Sequence, residues 1–132
     1  MYLILDRKAT PLSFLTRHLM ENVTSYEKAV DFMSKSDLIA PAYFIIGGVV
    51  PSQATVLTRN QSSLIDAWTL NPSSTHFDSW FLIETNYDHW TQPPADDDRR
   101  DLGIKYMQDI TQKNMDYETL TDVMATQPVC NK

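Results

Sequence analysis

The first third of the chain repeats apolar residues with the period of an α-helix. Residues 12–20 carry three leucines on one helical face, which predicts a short amphipathic helix. A second helix is predicted to begin at Thr24, because Thr24 and Glu27 have the spacing of a capping box. This helix is expected to end near Ser36. Its apolar stripe consists of Tyr26, Ala29, Val30 and Met33.

The middle of the chain favours β-strands. An apolar, aromatic and β-branched run that ends at Gly47 and Gly48 predicts a buried strand. The polar residues 60–63 indicate a hairpin-like connection between two further strands, and residues 71–74 have the composition of a loop. The four predicted strands span residues 40–46, 55–59, 64–70 and 80–85.

Two more helices are predicted after an irregular segment at 86–98. One begins at about Asp101, and Asp116 is placed to cap the other, which ends before Pro128. The order is helix, helix, four strands, helix, helix. This order predicts an α+β fold with an antiparallel sheet flanked by helices.

Composition narrows the class of protein. The 132 residues include 11 Lys and Arg against 17 Asp and Glu, a net charge of −6, and 42% of them are hydrophobic. These values are typical of a globular domain and argue against a nucleic-acid surface, which needs clustered cations. No apolar run reaches the roughly 18–20 residues of a transmembrane helix, and the N-terminus lacks the apolar core of a signal peptide. We therefore expect neither a nucleic-acid partner nor a transmembrane segment.

Metal and cofactor chemistry receives no support from residue spacing. The three histidines, His18, His76 and His89, are isolated from one another, and the single cysteine, Cys130, lies near none of them. The acidic run at 96–98 is followed by two arginines where a calcium loop needs oxygen ligands. Phosphate-binding glycine loops are also absent from the sequence. No metal or cofactor is predicted.

Two places are candidates for a site, and each has an ordinary alternative. Asn86 follows the predicted strand at 80–85, where an uncharged amide is a suitable oxyanion donor, but asparagine also commonly turns the chain. The charged run at 96–101 contains Arg99 and Arg100. It is either a solvated cluster at a helix start, or it sends a guanidinium into a site to hold a carboxylate.

Two asparagines lie in glycosylation sequons. Asn22 is followed by Val23 and Thr24, and Asn60 by Gln61 and Ser62. Both are predicted to be accessible and to carry glycans if the protein enters the secretory route.

The chain resembles the family of acid ceramidase and N-acylethanolamine acid amidase. The resemblance runs in order from about Leu12 to the end, whereas residues 1–11 do not match. Its most specific part is the run Thr-Asn-Tyr-Asp-x-Trp followed by Asp-Asp-Arg-Arg. The segments that carry the resemblance are 14–17, 21–27, 40–48, 57–60, 84–90 and 97–100.

The resemblance implies an N-terminal-nucleophile hydrolase of αββα build that cleaves the amide of N-acylsphingosine. In this scheme an N-terminal cysteine attacks the carbonyl and its own α-amine is the base. Asn86 matches the oxyanion-hole asparagine of the family, and Arg99 matches its active-site arginine. Members are secreted or lysosomal and cut themselves into two subunits.

The sequence also departs from the family pattern. The nucleophilic cysteine would lie upstream of the matching part, and residues 1–11 contain no replacement. The cysteine that links the subunits in relatives is replaced by Tyr106. We therefore expect residues 12–132 to be a partial catalytic domain of the large subunit, incomplete at both ends and inactive without the remaining part of the enzyme. The alternatives are a catalytically dead lipid-binding or regulatory paralogue, an activity on N-acylethanolamines, and a self-contained α+β domain with no lipid role.

Overall fold

The computed structural model describes residues 9–130. The chain divides into two compact units between Leu70 and Asn71. The segment predicted not to match the family, 1–11, lies outside the described residues except for 9–11.

The first unit opens with two helices, α1 at Leu12–Asn22 and α2 at Tyr26–Lys35. Both helices are confirmed, and α2 is followed by Ser36 as its C-cap. The predicted capping box is wrong, because Ser25 and not Thr24 is the N-cap, its Oγ accepting from the backbone N–H of Lys28 at 3.3 Å. Glu27 instead accepts a hydrogen bond from Gln53 Nε2 at 3.0 Å, so its carboxylate does not return to the cap.

Three strands follow and form an antiparallel sheet in the order β1–β2–β3. They are β1 at Ala42–Gly47, β2 at Ala54–Arg59 and β3 at Leu64–Thr69, in good agreement with three of the predicted strands. The predicted burial of the first strand is wrong: Ile45 is 71% exposed, since β1 lies at the edge of the sheet and β2 at its centre.

The helices of this unit pack against one face of the sheet. Alternate residues of β1, Phe44 and Ile46, point to the helix side, and Phe44 lies opposite Leu57 of β2. This arrangement buries apolar side chains from α1, α2 and the sheet in one core. Its buried members are Leu15, Met33, Leu38 and Leu57.

A buried arginine joins the end of α2 to the β2–β3 connection. Arg59 is 1% exposed, and its guanidinium donates hydrogen bonds to the carbonyls of Met33, Ser36 and Ser63. Burial lowers the pKa of Arg59, an effect that the nearby Asp37 carboxylate opposes. Arg59 therefore caps free carbonyls at the C-terminus of α2, where helix carbonyls lack intrahelical partners.

The second unit contains helices α3 at Arg99–Ile110 and α4 at Tyr117–Ala125. It also has two short 3₁₀ turns, at Phe77–Ser79 and at Gln112–Asn114. The fourth predicted strand is wrong: residues 80–85 are irregular, because no described segment pairs with them. Their apolar side chains pack instead into a second core. Its buried members are Phe81, Met107 and Val123.

Both helices of this unit begin close to the predicted positions. α3 begins at Arg99, two residues before Asp101. Gly103 allows this helix to approach the irregular segment, since a Cβ there would lie 3.3 Å from Ile83 Cδ1. The cap of α4 is confirmed: Asp116 Oδ1 accepts from the Thr119 N–H, and the Thr119 hydroxyl accepts from the Asp116 N–H, each at 2.8 Å.

Over residues 9–130 the chain has four α-helices and one three-stranded antiparallel sheet, so the predicted α+β class is confirmed. Among these helices none has the length and apolarity to traverse a bilayer.

Candidate active site

The structure brings Asn86 and Arg99 into direct contact. Asn86 lies in the bend after the irregular segment, and Arg99 is the first residue of α3. The Nη2 of Arg99 donates a hydrogen bond to Asn86 Oδ1. The sequence predicted a strand before Asn86, and the structure has an irregular segment there instead. The contact with Arg99 nevertheless joins the two candidate residues in one site.

This contact determines which way the Asn86 amide faces. A guanidinium only donates hydrogen bonds, so the atom next to Arg99 must be the carbonyl oxygen of the amide. The two N–H donors of Asn86 therefore point away from Arg99. Asn86 is exposed, and its amide also contacts Tyr87 and Asp97, where each hydrogen bond lowers the pKa of its partner.

Asp97 holds the guanidinium of Arg99 in place. Arg99 Nε lies 2.5 Å from Asp97 Oδ1 and Nη2 lies 3.0 Å from Oδ2, a two-pronged contact between side chains that are 26% and 23% exposed. Bonding to Arg99 lowers the pKa of Asp97, and the same contact raises the pKa of Arg99. Both groups are thus held in their charged forms. One alternative for the charged run was a guanidinium that holds a carboxylate. Among the described residues, the carboxylate that Arg99 holds is Asp97, which belongs to the same run.

Tyr87 completes this group. Burial raises the pKa of Tyr87, and a hydrogen bond with Asp97 raises it further, whereas a contact with Asn86 lowers it. These directions fit a phenol that stays protonated and donates to Asp97, while the Asn86 amide donates to the phenol oxygen. The Asn86 amide is consequently contacted from both ends.

Arg100 has a role in this site that the sequence did not predict. It is 6% exposed and donates to the backbone carbonyls of Tyr87, Asp88 and Thr91. The sequence left two alternatives open for the charged run that contains Arg100, a solvated cluster or a guanidinium that holds a carboxylate, and neither is a bond to loop carbonyls. A signal was present, because Arg100 lies three and seven residues before Gly103 and Met107, the other buried residues of α3.

Two half-buried polar side chains before Asn86, Glu84 and Thr85, have buried oxygen atoms. Glu84 Oε1 accepts from the Thr85 N–H at 2.9 Å, whereas Glu84 Oε2 and Thr85 Oγ1 have no hydrogen-bond partner among the described residues. Burial raises the pKa of Glu84, and the positive charge of Arg100 partly offsets this. Burial therefore makes the Glu84 carboxyl easier to protonate than an ordinary glutamate.

The two sequon asparagines lie in the first unit. Asn22, the last residue of α1, is exposed and donates through Nδ2 to the His18 carbonyl at 2.8 Å. Asn60 is half-buried, and its Oδ1 accepts from the backbone N–H groups of Ser62 and Ser63 at 2.9 and 2.7 Å. Glycosylation of either residue stays a prediction.

Other side chains with possible chemistry remain apart. Among residues 9–130, no three His, Cys, Asp or Glu side chains come close enough to hold a metal ion. Cys130 is a half-buried free thiol.

The fold is that of part of an N-terminal-nucleophile hydrolase. A solved structure, the Caenorhabditis elegans ortholog of N-acylethanolamine-hydrolyzing acid amidase, superposes with a TM-score of 0.77 and 34% identity over 91% of this chain and 49% of that one. The α+β fold class and its N-terminal-nucleophile assignment are thus confirmed together.

Sequence comparison identifies the particular relatives. The chain is 40% identical over 130 residues to the acid ceramidase of Heterocephalus glaber, covering 98% of this chain and 32% of that protein. It is 40% identical over 123 residues to the N-acylethanolamine-hydrolyzing acid amidase of Cavia porcellus, covering 93% and 34%. No family model matches the chain. The chain is therefore a homologue of the acid ceramidases and N-acylethanolamine-hydrolyzing acid amidases, and it spans about a third of the length of the curated relatives it matches.

Proposed function

We propose that this chain supplies the oxyanion-stabilising part of an amidohydrolase that cleaves N-acylsphingosine into sphingosine and a fatty acid. The observation that carries the proposal is the contact between Asn86 and Arg99. A guanidinium fixed by Asp97 holds the amide oxygen, so that the amide N–H groups are aimed without a titrating charge. The relatives supply the reaction class, because they are named as a ceramidase and an acid amidase.

The proposed reaction begins with a cysteine thiolate that attacks the carbonyl carbon of the substrate amide. The carbonyl oxygen becomes an oxyanion, to which an Asn86 N–H donates. The intermediate collapses, the C–N bond breaks, and the leaving amine takes a proton from the cysteine's own α-ammonium group. Water then hydrolyses the thioester and releases the fatty acid. In this reaction Asn86 is the catalytic residue, and Arg99 and Asp97 orient it.

The cysteine in this scheme is not Cys130, the single cysteine in residues 1–132. Cys130 is partly buried near the end of the second unit, and its nitrogen is in the peptide bond to Val129, so it has no free α-amine. We propose that another part of the same enzyme supplies the nucleophile. The purified 132-residue chain is accordingly expected to leave N-acylsphingosine intact.

A chimera tests the role of Asn86. The matching 130 residues of the Heterocephalus glaber acid ceramidase would be replaced by this chain, and hydrolysis measured per active site titrated with a cysteine-directed inhibitor. Asn86→Ala should lower kcat by about 10²–10³-fold with little change in KM, because the oxyanion exists only after attack. Asn86→Asp should be at least as damaging, and Arg99→Lys should also lower kcat, because an ammonium cannot make the two-pronged contact.

Asn71 provides a matched control. It is an exposed turn asparagine whose Oδ1 accepts from the Ser73 N–H at 3.2 Å. Asn71→Ala should leave kcat per titrated site unchanged. A kcat for Asn86→Ala equal to that of Asn71→Ala would remove Asn86 from the site.

An N-acylethanolamine is a second candidate substrate. Its support is that some of the relatives are named as N-acylethanolamine-hydrolyzing acid amidases. Assaying the chimera on both amides gives the ratio of kcat/KM values. A preference for the ceramide supports the first proposal, and a preference for the acylethanolamide supports the second. A chimera that is folded and titratable but hydrolyses neither would support a catalytically dead paralogue.

We further propose a secreted or lysosomal location with glycans on Asn22 and Asn60. Exposure of Asn22 at the end of α1 and of the turn after Asn60 supports this. Peptide mass mapping of protein recovered from the secretory route should find both asparagines modified. Unmodified Asn22 and Asn60 in such material would contradict the proposed route.

A further inference from the structure

Arg100 is a buried cation whose guanidinium is bonded to a loop backbone. Its Nη1 lies 3.0 Å from the Asp88 carbonyl oxygen and 3.4 Å from that of Tyr87, and its Nη2 lies 2.5 Å from the Thr91 carbonyl oxygen. The side chain is only 6% exposed. A buried charge is costly unless it is well bonded, so these carbonyls are strongly held.

The carbonyls that Arg100 binds belong to the segment immediately after Asn86. Arg100 also follows Arg99, whose Nη2 binds the Asn86 side chain. The first turn of α3 thus restrains Asn86 in two ways. Arg99 binds its side-chain oxygen, and Arg100 binds the backbone of the residues that follow it. A peptide backbone anchored at residues 87, 88 and 91 restricts where the Cα of Asn86 can lie relative to α3.

We propose that Arg100 is a positioning residue, which anchors the 87–91 loop and so fixes the Asn86 amide against Arg99. The inference rests on the proposed function only for its effect on turnover; the anchoring itself is a property of this chain. It identifies the second arginine of the Asp-Asp-Arg-Arg run as the one that acts through the backbone.

The geometry requires arginine and not merely a positive charge. The guanidinium presents its donors as a planar fork, and its two Nη atoms reach carbonyls three residues apart. A lysine ammonium is a single point on a flexible stem. Arg100→Lys therefore keeps the charge but should release one side of the loop.

NMR of the 132-residue chain tests the anchoring without any enzyme assay. In Arg100→Lys, the side-chain amide signals of Asn86 and the Nε–H signal of Arg99 should shift or broaden, while methyl signals of Met107 and Val123 report that the second core is intact. Arg59→Lys is the matched control, since Arg59 is equally buried and also binds three carbonyls, but in the first unit. It should leave the Asn86 and Arg99 signals unchanged.

A second measurement needs no variant. In the unaltered chain at low temperature, the Nη protons of Arg100 should rotate and exchange slowly, in contrast to those of Arg17, which is exposed. Exchange of the Arg100 protons as fast as those of Arg17 would overturn the proposal, and so would Asn86 signals that respond equally to Arg100→Lys and Arg59→Lys.

Turnover provides the link to function. In the chimera, Arg100→Lys should lower kcat per titrated site by about 10–10²-fold with KM nearly unchanged, since small displacements of a catalytic group cost rate. Altered Asn86 signals with unchanged kcat would retain the anchor but remove Asn86 from the reaction. Unaltered signals would refute the anchor itself.

Discussion

Replacing Arg59 by methionine should destabilise the first unit. Arg59→Met keeps the length and apolar volume of the side chain but removes every donor. The guanidinium donates hydrogen bonds to the carbonyls of Met33, Ser36 and Ser63, two of them at the end of α2 and one in the β2–β3 connection. After the substitution these acceptors have no donor in the position that Arg59 occupied.

The magnitude follows from the burial of each carbonyl. The Met33 contact is buried, so its carbonyl is cut off from water and should cost about 1–3 kcal/mol when left unpaired. The contacts to Ser36 and Ser63 are partly buried, so water can replace part of each bond and about 0.5–1.5 kcal/mol is expected for each. Methionine recovers some of this, because no charge remains to be buried. The expected loss is about 3 kcal/mol.

Hydrogen exchange at increasing urea concentration, read by mass spectrometry on peptides from residues 9–70, measures the free energy of unfolding of this unit. Arg17→Met is the control, because Arg17 is exposed on α1, and it should change that free energy by less than about 0.5 kcal/mol. A loss below about 1 kcal/mol for Arg59→Met would refute the reasoning. It would mean that the cost of burying the charge cancels the hydrogen bonds.

Two further predictions concern acid. The pKa of Glu84 is raised by burial, so its stabilising effect is complete below the ordinary glutamate pKa of about 4.5 and is lost as pH rises through the higher folded value. Glu84→Gln should therefore raise the urea midpoint of the second unit at pH 7 and change it little at pH 4. Glu21 is exposed, so Glu21→Gln should leave that midpoint unchanged at both pH values. Equal effects of Glu84→Gln at pH 7 and pH 4 would contradict this reasoning. The pKa of Asp116 is lowered by the Thr119 N–H, so its stabilisation of α4 is complete above the ordinary aspartate value and is lost as pH falls through the lower folded value. Asp116→Ala should speed hydrogen exchange in α4 at neutral pH and Asp116→Asn should remove the acid dependence, while the same acid dependence in Asp116→Asn would refute the assignment.

Local patterns were sufficient for most of the secondary structure. The helices α1 and α2 and the Asp116 cap depend on residues within a few positions of one another. The three strands are consecutive in the chain, so short connections bring each strand against its pairing partner. Apolar spacing and capping chemistry therefore express them directly. The error of one residue at the start of α2 has a nearby cause, since Ser25 is as good a cap as Thr24 and Glu27 has a partner in Gln53 from a distant turn.

The predicted strand at 80–85 failed because a strand is not a local property. Its apolar residues would suit a strand, but backbone N–H and C=O groups need a paired neighbour, and no described segment provides one. The same side chains, Phe81 above all, instead fill the core against α3 and α4. The apolar pattern could indicate that these residues are buried, but it could not indicate which elements cover them.

The candidate site divides in the same way. The sequence alone proposed Asn86 and Arg99 as site residues, through motif spacing and resemblance, and left an ordinary alternative open for each. The tertiary structure decided three further features: the hydrogen bond between Asn86 and Arg99, the two-pronged contact of Asp97 with the guanidinium, and the burial of Arg100 among loop carbonyls. The contacts of Arg99 with Asn86 and of Arg100 with the loop carbonyls join residues nine or more positions apart. Asp97 lies only two positions from Arg99, but their contact depends on the side-chain conformations at the start of α3. Hydrogen-bond geometry of that kind exists only once the chain has folded, because it is the packing of α3 on the irregular segment that places the donors and acceptors within reach.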